Sequence, residues 1–419
     1  MLGCGNVGGP LVRLVAARRD AIVERTGITL DVVRVAVRDA TKARDGIDPA
    51  LLTDDAESVV SDPNVDVVIE LIGGIEPARA LILKALEANK PVVTGNKELL
   101  ASHGAELFAA ADRVGVDLLF EAAGAGGIPI MRPLRESLIG ERVHRVIGIV
   151  NGTTNYILTR MAEAGATYAD ALAEAQSLGF AETDPTADVD GFDAAAKIAI
   201  LATIAFGKRV VADDVHREGI ADVRAADVEV ARRFGYVIKL LGVAEELADG
   251  SISVRVHPAM LPSNHPLANV RGAFNAVFVE GDAVGELMFY GRGAGGAPTA
   301  SAVLGDVVDA AVNLRKGTHA SLGSFAPAQF SPIDDMRSAY YLNIDVTDEP
   351  GVLAAVANVF GTHAVSIRSM EQEGLGAEAR IVFITHAARE RDIQACLIDL
   401  KALKVVDRIS SVMRLVGTE

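Results

Sequence analysis

Two lysines of this sequence stand where chemistry is plausible, and an acid-rich loop lies beside one of them. Lys197 falls in the apolar stretch Ala194–Ile204. An ammonium group on a buried, alanine-rich helix is costly unless it is paired. Asp193 is four residues earlier and so shares its helical face. The preceding loop, Gly179–Gly191, reads Gly-Phe-Ala-Glu-Thr-Asp-Pro-Thr-Ala-Asp-Val-Asp-Gly. Acids at this density beside a buried lysine suit recognition of an α-ammonium group and polarisation of a carbonyl. The plainer alternatives are a surface ion pair next to a solvated acidic turn, or a cation site. Lys97, in Thr94-Gly95-Asn96-Lys97, follows a short apolar run that reads as a buried parallel strand. Ligands bind beyond the carboxyl ends of such strands.

A third feature is Gly3-Cys4-Gly5-Asn6-Val7-Gly8, which fits G-x-G-x-x-G and leads into an apolar helix. Glycines at that spacing let the backbone turn tightly and approach a pyrophosphate at a helix N-terminus. Gly3, Gly5, Asn6, Val7 and Gly8 are therefore expected to hold a dinucleotide. The next strand ends at Val37 and is followed by Arg38 and Asp39. An acid at this point suits ribose hydroxyls, whereas an arginine suits a 2′-phosphate. Arg38 favours NADP(H), with NAD(H) as the alternate. The strand that should lead into the loop is reduced to Met1 and Leu2. The expectation is a natural product that begins upstream, or another segment filling that slot in the sheet.

Elements that position these residues can be read from the pattern. Strands at Leu30–Val37, Val65–Ile72, Pro91–Thr94 and Val116–Glu121 alternate with helical stretches, including Pro77–Ala88 and Ser102–Arg113. This predicts a doubly wound parallel sheet. The middle changes character: a strand at Val143–Asn151, helices at Tyr156–Ala164, Tyr168–Leu178 and Asp193–Phe206, then strands at Ile252–His257, Phe274–Glu280 and Glu286–Tyr290. That order predicts an α+β domain with an open sheet. A glycine-rich loop, Gly291–Pro298, precedes a helix at Thr299–Leu314 expected to return to the first domain. Beyond a Gly-, Ser- and Pro-containing linker, the order βαββαβ predicts a ferredoxin-like unit. The expected division of this α/β chain is 1–128, 129–318, a linker at 319–339, and 340–419.

Bulk properties narrow the class. A chain of 419 residues accommodates two or three domains. Its net charge of -16 argues against nucleic acid or an anionic membrane as partner, since both need a positive field. Cys4 and Cys396 stand at opposite ends, which supports neither a disulfide framework nor a cysteine zinc site. The start lacks a secretory pattern, and no apolar run is long enough to span a bilayer. A cytoplasmic location is expected.

Taken together, these motifs resemble homoserine dehydrogenase along nearly the whole chain, in its bacterial form with a C-terminal ACT domain. The matching stretches are Gly3–Gly8, Thr94–Leu99, Phe120–Pro129, Asn151–Ile157, Gly179–Lys197 and Gly291–Ser301. Asn151-Gly152-Thr153-Thr154-Asn155-Tyr156-Ile157, combined with the acidic loop and Lys197, is specific where any one of them alone is not. The resemblance implies reversible reduction of L-aspartate 4-semialdehyde to L-homoserine, in threonine, methionine and isoleucine biosynthesis. For the α+β domain it implies substrate binding and dimerisation. It implies Lys197 as proton donor and acceptor at the substrate oxygen, with Lys97 near nicotinamide and substrate. It implies Glu182 and Asp193 at the substrate amino group, Asp188 as a further acid of that pocket, and Thr153 close to substrate and cofactor. Thr94, Gly293 and Gly295 are implied beside the cofactor. Glu121, Gly124, Gly126 and Ile128 match a monovalent-cation site in which mostly backbone oxygens face a sodium ion. The segment Ala123–Gly127 is richer in glycine than is usual there. Asp345–Leu353 looks like an ACT opening, implying side-by-side pairing, a homo-oligomer (dimer or tetramer), and threonine as inhibitor. Another amino-acid dehydrogenase would fit the glycine loop equally but has no need of Gly179–Lys197. A non-catalytic amino-acid sensor would not need Lys97, Glu182, Asp193 and Lys197 intact.

Overall fold

The computed structural model describes residues 1–320, 325–374 and 379–417. Its N-terminal part is a parallel sheet of short strands: Leu52–Thr53, Val35–Ala36, Val68–Glu70, Val92–Thr94 and Leu118–Leu119. Met1 and Leu2 stand between Val35–Ala36 and Val68–Glu70. Leu2 bridges both neighbours in parallel. Leu2 N donates to Ile69 O (2.7 Å), Leu71 N to Leu2 O (2.8 Å), Gly3 N to Ala36 O (2.9 Å) and Ala36 N to Met1 O (2.8 Å). The slot is thus filled by the two residues themselves, and the neighbouring backbone groups are satisfied. In chain order the sheet runs 3-2-1-4-5-6, the dinucleotide-binding arrangement. The helices Gly8–Thr26, Ala56–Ser61, Ala78–Glu87 and Lys97–Val114 make the crossovers. Only Val35–Ala36 of the expected Leu30–Val37 strand is paired, and residues 30–34 are half-buried or exposed.

The helix Gly296–Lys316 lies against Gly8–Thr26. Its Val303, Leu304, Val307 and Ala310 share one apolar cluster with Leu11, Val12 and Val15, and Arg315 donates to Thr26 O (2.7 Å). The chain therefore leaves the nucleotide sheet, builds a second body, and comes back to cover it.

That second body is an antiparallel sheet ordered Gly285–Arg292, Phe274–Gly281, Val143–Ile149, Tyr236–Glu246, Ile252–Pro262. Tyr236–Glu246 was not foreseen. It pairs with Ile252–Pro262 along eleven residues and with Val143–Ile149 on its other side. Helices Gly152–Ala164 and Phe192–Phe206 pack on this sheet, with Val146, Ile157, Ile198, Val256 and Val277 in one core.

The C-terminal strands Arg337–Val346, Ile367–Glu373, Arg380–Thr385 and Val406–Leu415, with helices Val352–Thr362 and Glu390–Ala402, form the expected βαββαβ unit. They do not form a sheet of their own. Val406–Leu415 pairs in parallel with Ile252–Pro262, Ala259 opposite Arg414 and Met260 opposite Leu415. One sheet consequently runs from Gly285–Arg292 to Ile367–Glu373. Residues 321–324 of the expected linker lie outside the described residues. The remainder is docked: Ala326–Pro327 pairs with Lys208–Arg209, Ile252 N donates to Gln329 O (2.8 Å) and Ser331 N to Ile252 O (2.9 Å). Among the described residues, no helix is long and apolar enough to cross a membrane.

Candidate active site

Lys97 is the first residue of Lys97–Val114, directly beyond the strand Val92–Thr94. The turn that delivers it is tightly held. Thr94 Oγ1 donates to Glu70 Oε2 (2.6 Å) and accepts from Asn96 N (3.0 Å). Asn96 caps the helix by accepting from Leu99 N (3.1 Å) and donates to Gly74 O (2.7 Å). Glu70 Oε1 takes the amides of Ile72 (2.8 Å) and Gly73 (3.1 Å). Asp193 and Lys197 come from the opposite side, on the first turns of Phe192–Phe206. That helix starts from Gly191, at φ 80°, a left-handed conformation that favours glycine.

The two sides meet on one carboxylate. Lys197, 6% exposed, donates to Val150 O (2.7 Å) and Asp193 Oδ2 (2.8 Å). Lys97 pairs with the other oxygen, Asp193 Oδ1. Asn151 adds a bridge, donating to Asp188 Oδ1 (2.6 Å) and Asp193 Oδ2 (3.0 Å) while its own Oδ1 accepts from Thr154 N (2.8 Å). Two cations, two anions and one amide thus form a single cluster. The Lys97 side chain is 43% exposed and that of Lys197 only 7%, so the cluster has an open side and a closed side. Burial opposes ionisation of Asp193, yet the ammonium groups of Lys197 and Lys97 outweigh it and hold the carboxyl below its usual range. Burial draws the Lys197 ammonium below the ordinary lysine value, and Asp193 acts in the opposite sense.

Thr153 Oγ1 donates to Phe180 O (2.6 Å), tying the helix Gly152–Ala164 to the acidic loop. Glu182 is exposed on that loop, outside the hydrogen-bonded cluster. Glu70, Asn96 and Asn151 were not singled out from sequence. Asn151 was visible only as part of a motif, because its partners lie 37 and 42 residues away.

The glycines divide their tasks in the nucleotide loop. A Cβ on Gly3, at φ 92°, would lie 2.6 Å from Leu71 O, and one on Gly8 would lie 2.5 Å from Gly3 O. Above Gly5 there is no protein atom within 4 Å, which leaves room for a pyrophosphate to approach the backbone. The second glycine strip closes on the first. Gly296 packs on Asn6 O, Gly293 O on Gly126, and Gly127 N donates to Arg292 O (3.0 Å). Asn275, fully buried between Gly152 and Gly293, has no partner for either side-chain polar atom among the described residues. The open space over Gly5 fits a dinucleotide approaching this loop. Arg38 is exposed at the end of its strand. Arg44 donates to Asp39 O (3.1 Å) and Lys42 O (2.8 Å). Burial raises the Cys4 thiol, while Arg44 and Arg13 pull it down, so two further cations face the loop.

Glu121, Gly124, Gly126 and Ile128 share one turn, the helix Glu121–Ala125 and the residues after it. The Glu121 carboxylate is already committed to the amides of Ile130, Met131 (2.7 Å) and Arg132 (3.0 Å). Among the described residues, no group of three His, Cys, Asp or Glu could hold a metal ion. A cation here would have to use backbone oxygens.

Comparison with known proteins bears on the whole chain. Residues 3–121 match the family model described as homoserine dehydrogenase, NAD binding domain, residues 129–308 that of homoserine dehydrogenase, and residues 340–404 that of the ACT domain. A homoserine dehydrogenase of Corynebacterium glutamicum is 50% identical, over 99% of this chain and 94% of that protein. The crystal structure of a homoserine dehydrogenase from Thiobacillus denitrificans superposes with a TM-score of 0.93 at 42% identity, covering 99% of this chain and 97% of that one. A hyperthermophilic archaeal homoserine dehydrogenase, solved in complex with NADPH, superposes with a TM-score of 0.63 at 30% identity, covering 74% and 96% of the two chains.

Proposed function

The chain belongs to the homoserine dehydrogenase family, whose reaction is the reversible reduction of L-aspartate 4-semialdehyde to L-homoserine, and we propose that the Lys97–Asp193–Lys197 cluster performs its proton chemistry. The observation that carries this reading is the shared carboxylate between one closed and one open lysine. An ammonium group has three donors. Val150 O and Asp193 take two of those on Lys197, which leaves the third for a carbonyl oxygen. The bound nicotinamide supplies the hydride. Lys197 gives its proton to the oxygen as negative charge develops there, and its own charge stabilises that oxygen. Burial makes it a stronger acid than a free lysine, which suits transfer nearer neutral pH. Lys97, on the solvent side of the same carboxylate, is placed to replenish the proton. Asp188, Asp193 and Glu182 offer negative charge for the substrate ammonium, with Thr153 holding their loop to the next helix.

NADP(H) is the proposed cofactor, with NAD(H) as the alternate. Arg38 and the neighbouring Arg44 and Arg13 support it, as does the related archaeal enzyme solved with NADPH. A sodium ion on the backbone oxygens of the Glu121–Ile128 turn, threonine as the ligand of the ACT unit, a homo-oligomeric assembly and a cytoplasmic location complete the reading. The direct experiment is NADPH oxidation with aspartate semialdehyde, repeated with NADH and with Lys197→Ala. Loss of a general acid costs about 10²–10⁴ in rate. Near-normal turnover in a folded variant would remove Lys197 from the chemistry.

A further inference from the structure

The strand Phe274–Gly281 buries a side chain whose hydrogen bonds are unmade. Asn275 is 0% exposed, and neither its Nδ2 nor its Oδ1 has a partner among the described residues. Asparagine is disfavoured in strands, and an unpaired amide in a core carries a cost that an apolar residue avoids. Two asparagines nearby show the usual solution. Asn151 gives its amide to Asp188 and Asp193 and its Oδ1 accepts from Thr154 N. Asn155 donates to Val270 O, Gly272 O and Phe274 O, and its Oδ1 accepts from Lys239.

The neighbours of Asn275 are two glycines from opposite sides of the catalytic groove. In register, Asn275 lies opposite Gly291 on one side, and Ala276 opposite Ile149 on the other. The side chain reaches beyond both of those strands. A Cβ on Gly293 would clash with its Nδ2, and a Cβ on Gly152 would lie 3.4 Å from its Oδ1. Gly152 opens the helix Gly152–Ala164, between the Asn151 cap and Thr153. Val150 O, two residues earlier, holds the Lys197 ammonium (2.7 Å). Gly293 belongs to the strip that packs on Gly126, and Gly296 of the same strip packs on Asn6 in the nucleotide loop. One buried amide thus stands between the substrate side and the cofactor side, and both come this close to it because they lack a Cβ.

We propose that Asn275 is a positioning residue for hydride transfer. As the groove closes on nucleotide and substrate, its Nδ2 donates to a backbone carbonyl of the Gly293 strip and its Oδ1 accepts from a backbone amide at the Gly152 turn. The proposal rests on the reading that these two segments face cofactor and substrate. The unmade bonds are a cost in the present arrangement and a gain once strip and turn move onto the amide, so they favour the closed groove. Asn275 touches neither ligand. It sets the separation of the two reacting carbons, on which the rate of transfer depends steeply.

Asn275→Ala in the full-length enzyme tests this. In semialdehyde reduction kcat should fall by about 10–100-fold, while the KM values change little, because the contacts to each ligand remain. The primary isotope effect on kcat, with NADPH deuterated at the transferred position, should rise as the hydride step becomes slower than product release. The Tm should stay near that of the wild type, because the substitution removes two unpaired polar groups as it opens a small space. A second arm leaves Asn275 in place. Gly293→Ala should lower the Tm, since its methyl meets the amide. Adding Asn275→Ala makes room for that methyl and should recover the Tm, with kcat at the level of Asn275→Ala alone, because both changes act on one contact. A folded Asn275→Ala with a lower Tm, wild-type kcat and an unchanged isotope effect would make the amide purely structural and overturn the proposal. Losses in kcat that multiply in the double variant would overturn it as well. A wild type that does not oxidise NADPH with the semialdehyde would overturn instead the reading on which the proposal rests.

Discussion

Asp193→Asn removes one charge from the centre of the cluster and leaves its shape. Asp193 Oδ2 is 2.8 Å from the Lys197 ammonium, and Oδ1 is paired with Lys97. At that separation, with an effective dielectric near 20, the Lys197 pair is worth about 4–6 kcal/mol. Its loss should lower the Lys197 pKa further, in the same direction as the lowering that burial already imposes. The sign follows from the two directions of the reaction. Aldehyde reduction needs the ammonium, so its activity should fall away at lower pH in the variant than in the wild type. Homoserine oxidation needs the neutral amine, so its activity should rise at lower pH. The assay is kcat in both directions between about pH 6 and 10, with saturating substrate to separate the weaker ammonium binding that Asp193→Asn also brings. A loss of equal size at every pH in both directions would refute the electrostatic role and leave Asp193 as a binding residue only.

Arg38→Ala should weaken NADPH by about tenfold while leaving NADH nearly unchanged, since a charge-assisted phosphate contact is worth roughly 1.5–3 kcal/mol when intact; equal effects on both cofactors would dissociate this residue from the phosphate. Gly5→Ala should melt close to the wild type, because its Cβ would meet nothing within 4 Å, yet bind NADPH poorly; normal binding would mean that the pyrophosphate does not lie over Gly5. Removing the chain after Arg337 should do more than abolish the proposed threonine response: it strips Ile252–Pro262 of its second neighbour, Val406–Leu415, and uncovers Asp227, which is buried beneath Tyr341 and Asn343. The shortened chain is expected to have a lower Tm and lower soluble yield, and a shortened chain melting like the full one would show that the shared sheet adds no stability.

Much of the fold could be read in advance because local pattern and tertiary role coincide. Val92–Thr94 and Val68–Glu70 are buried on both faces, and short apolar runs before turn residues announce such strands. The glycine loop and the lysine on an apolar helix announce themselves because each violates what a purely structural segment would contain. Tyr236–Glu246 gave no comparable signal. Seven successive residues, Ile238–Ala244, are buried, so no alternation appears, and the run contains both a lysine and a glycine. Each has a tertiary explanation. Lys239 donates to Asn155 Oδ1 (2.8 Å) and Val270 O (2.6 Å). A Cβ on Gly242 would sit 3.1 Å from Ile198, so glycine there admits the helix that carries Asp193 and Lys197.

The fused sheet was illegible for a different reason. A strand's sequence records which face is buried but not which distant edge it joins, and the pairing of Met260 with Leu415 spans most of the second half of the chain. The seam has its own chemistry. Arg414 is buried between Glu218 (2.7 Å) and Glu390 (2.9 Å), and Tyr340 donates to the same Glu390 (2.6 Å). Buried charges persist where they are paired; Glu218 comes from the second body, and Glu390 and Arg414 from the second helix and the last strand of the ACT unit. The next residue along, Gly219, would place a Cβ 2.6 Å from Val189 O, and Ile220 N donates to that same carbonyl (2.9 Å). Val189 adjoins Asp188, which Asn151 joins to Asp193. The C-terminal unit therefore bears on the acidic loop through packed backbone and buried ion pairs, which makes it a wall of the catalytic body as well as an appendage to it.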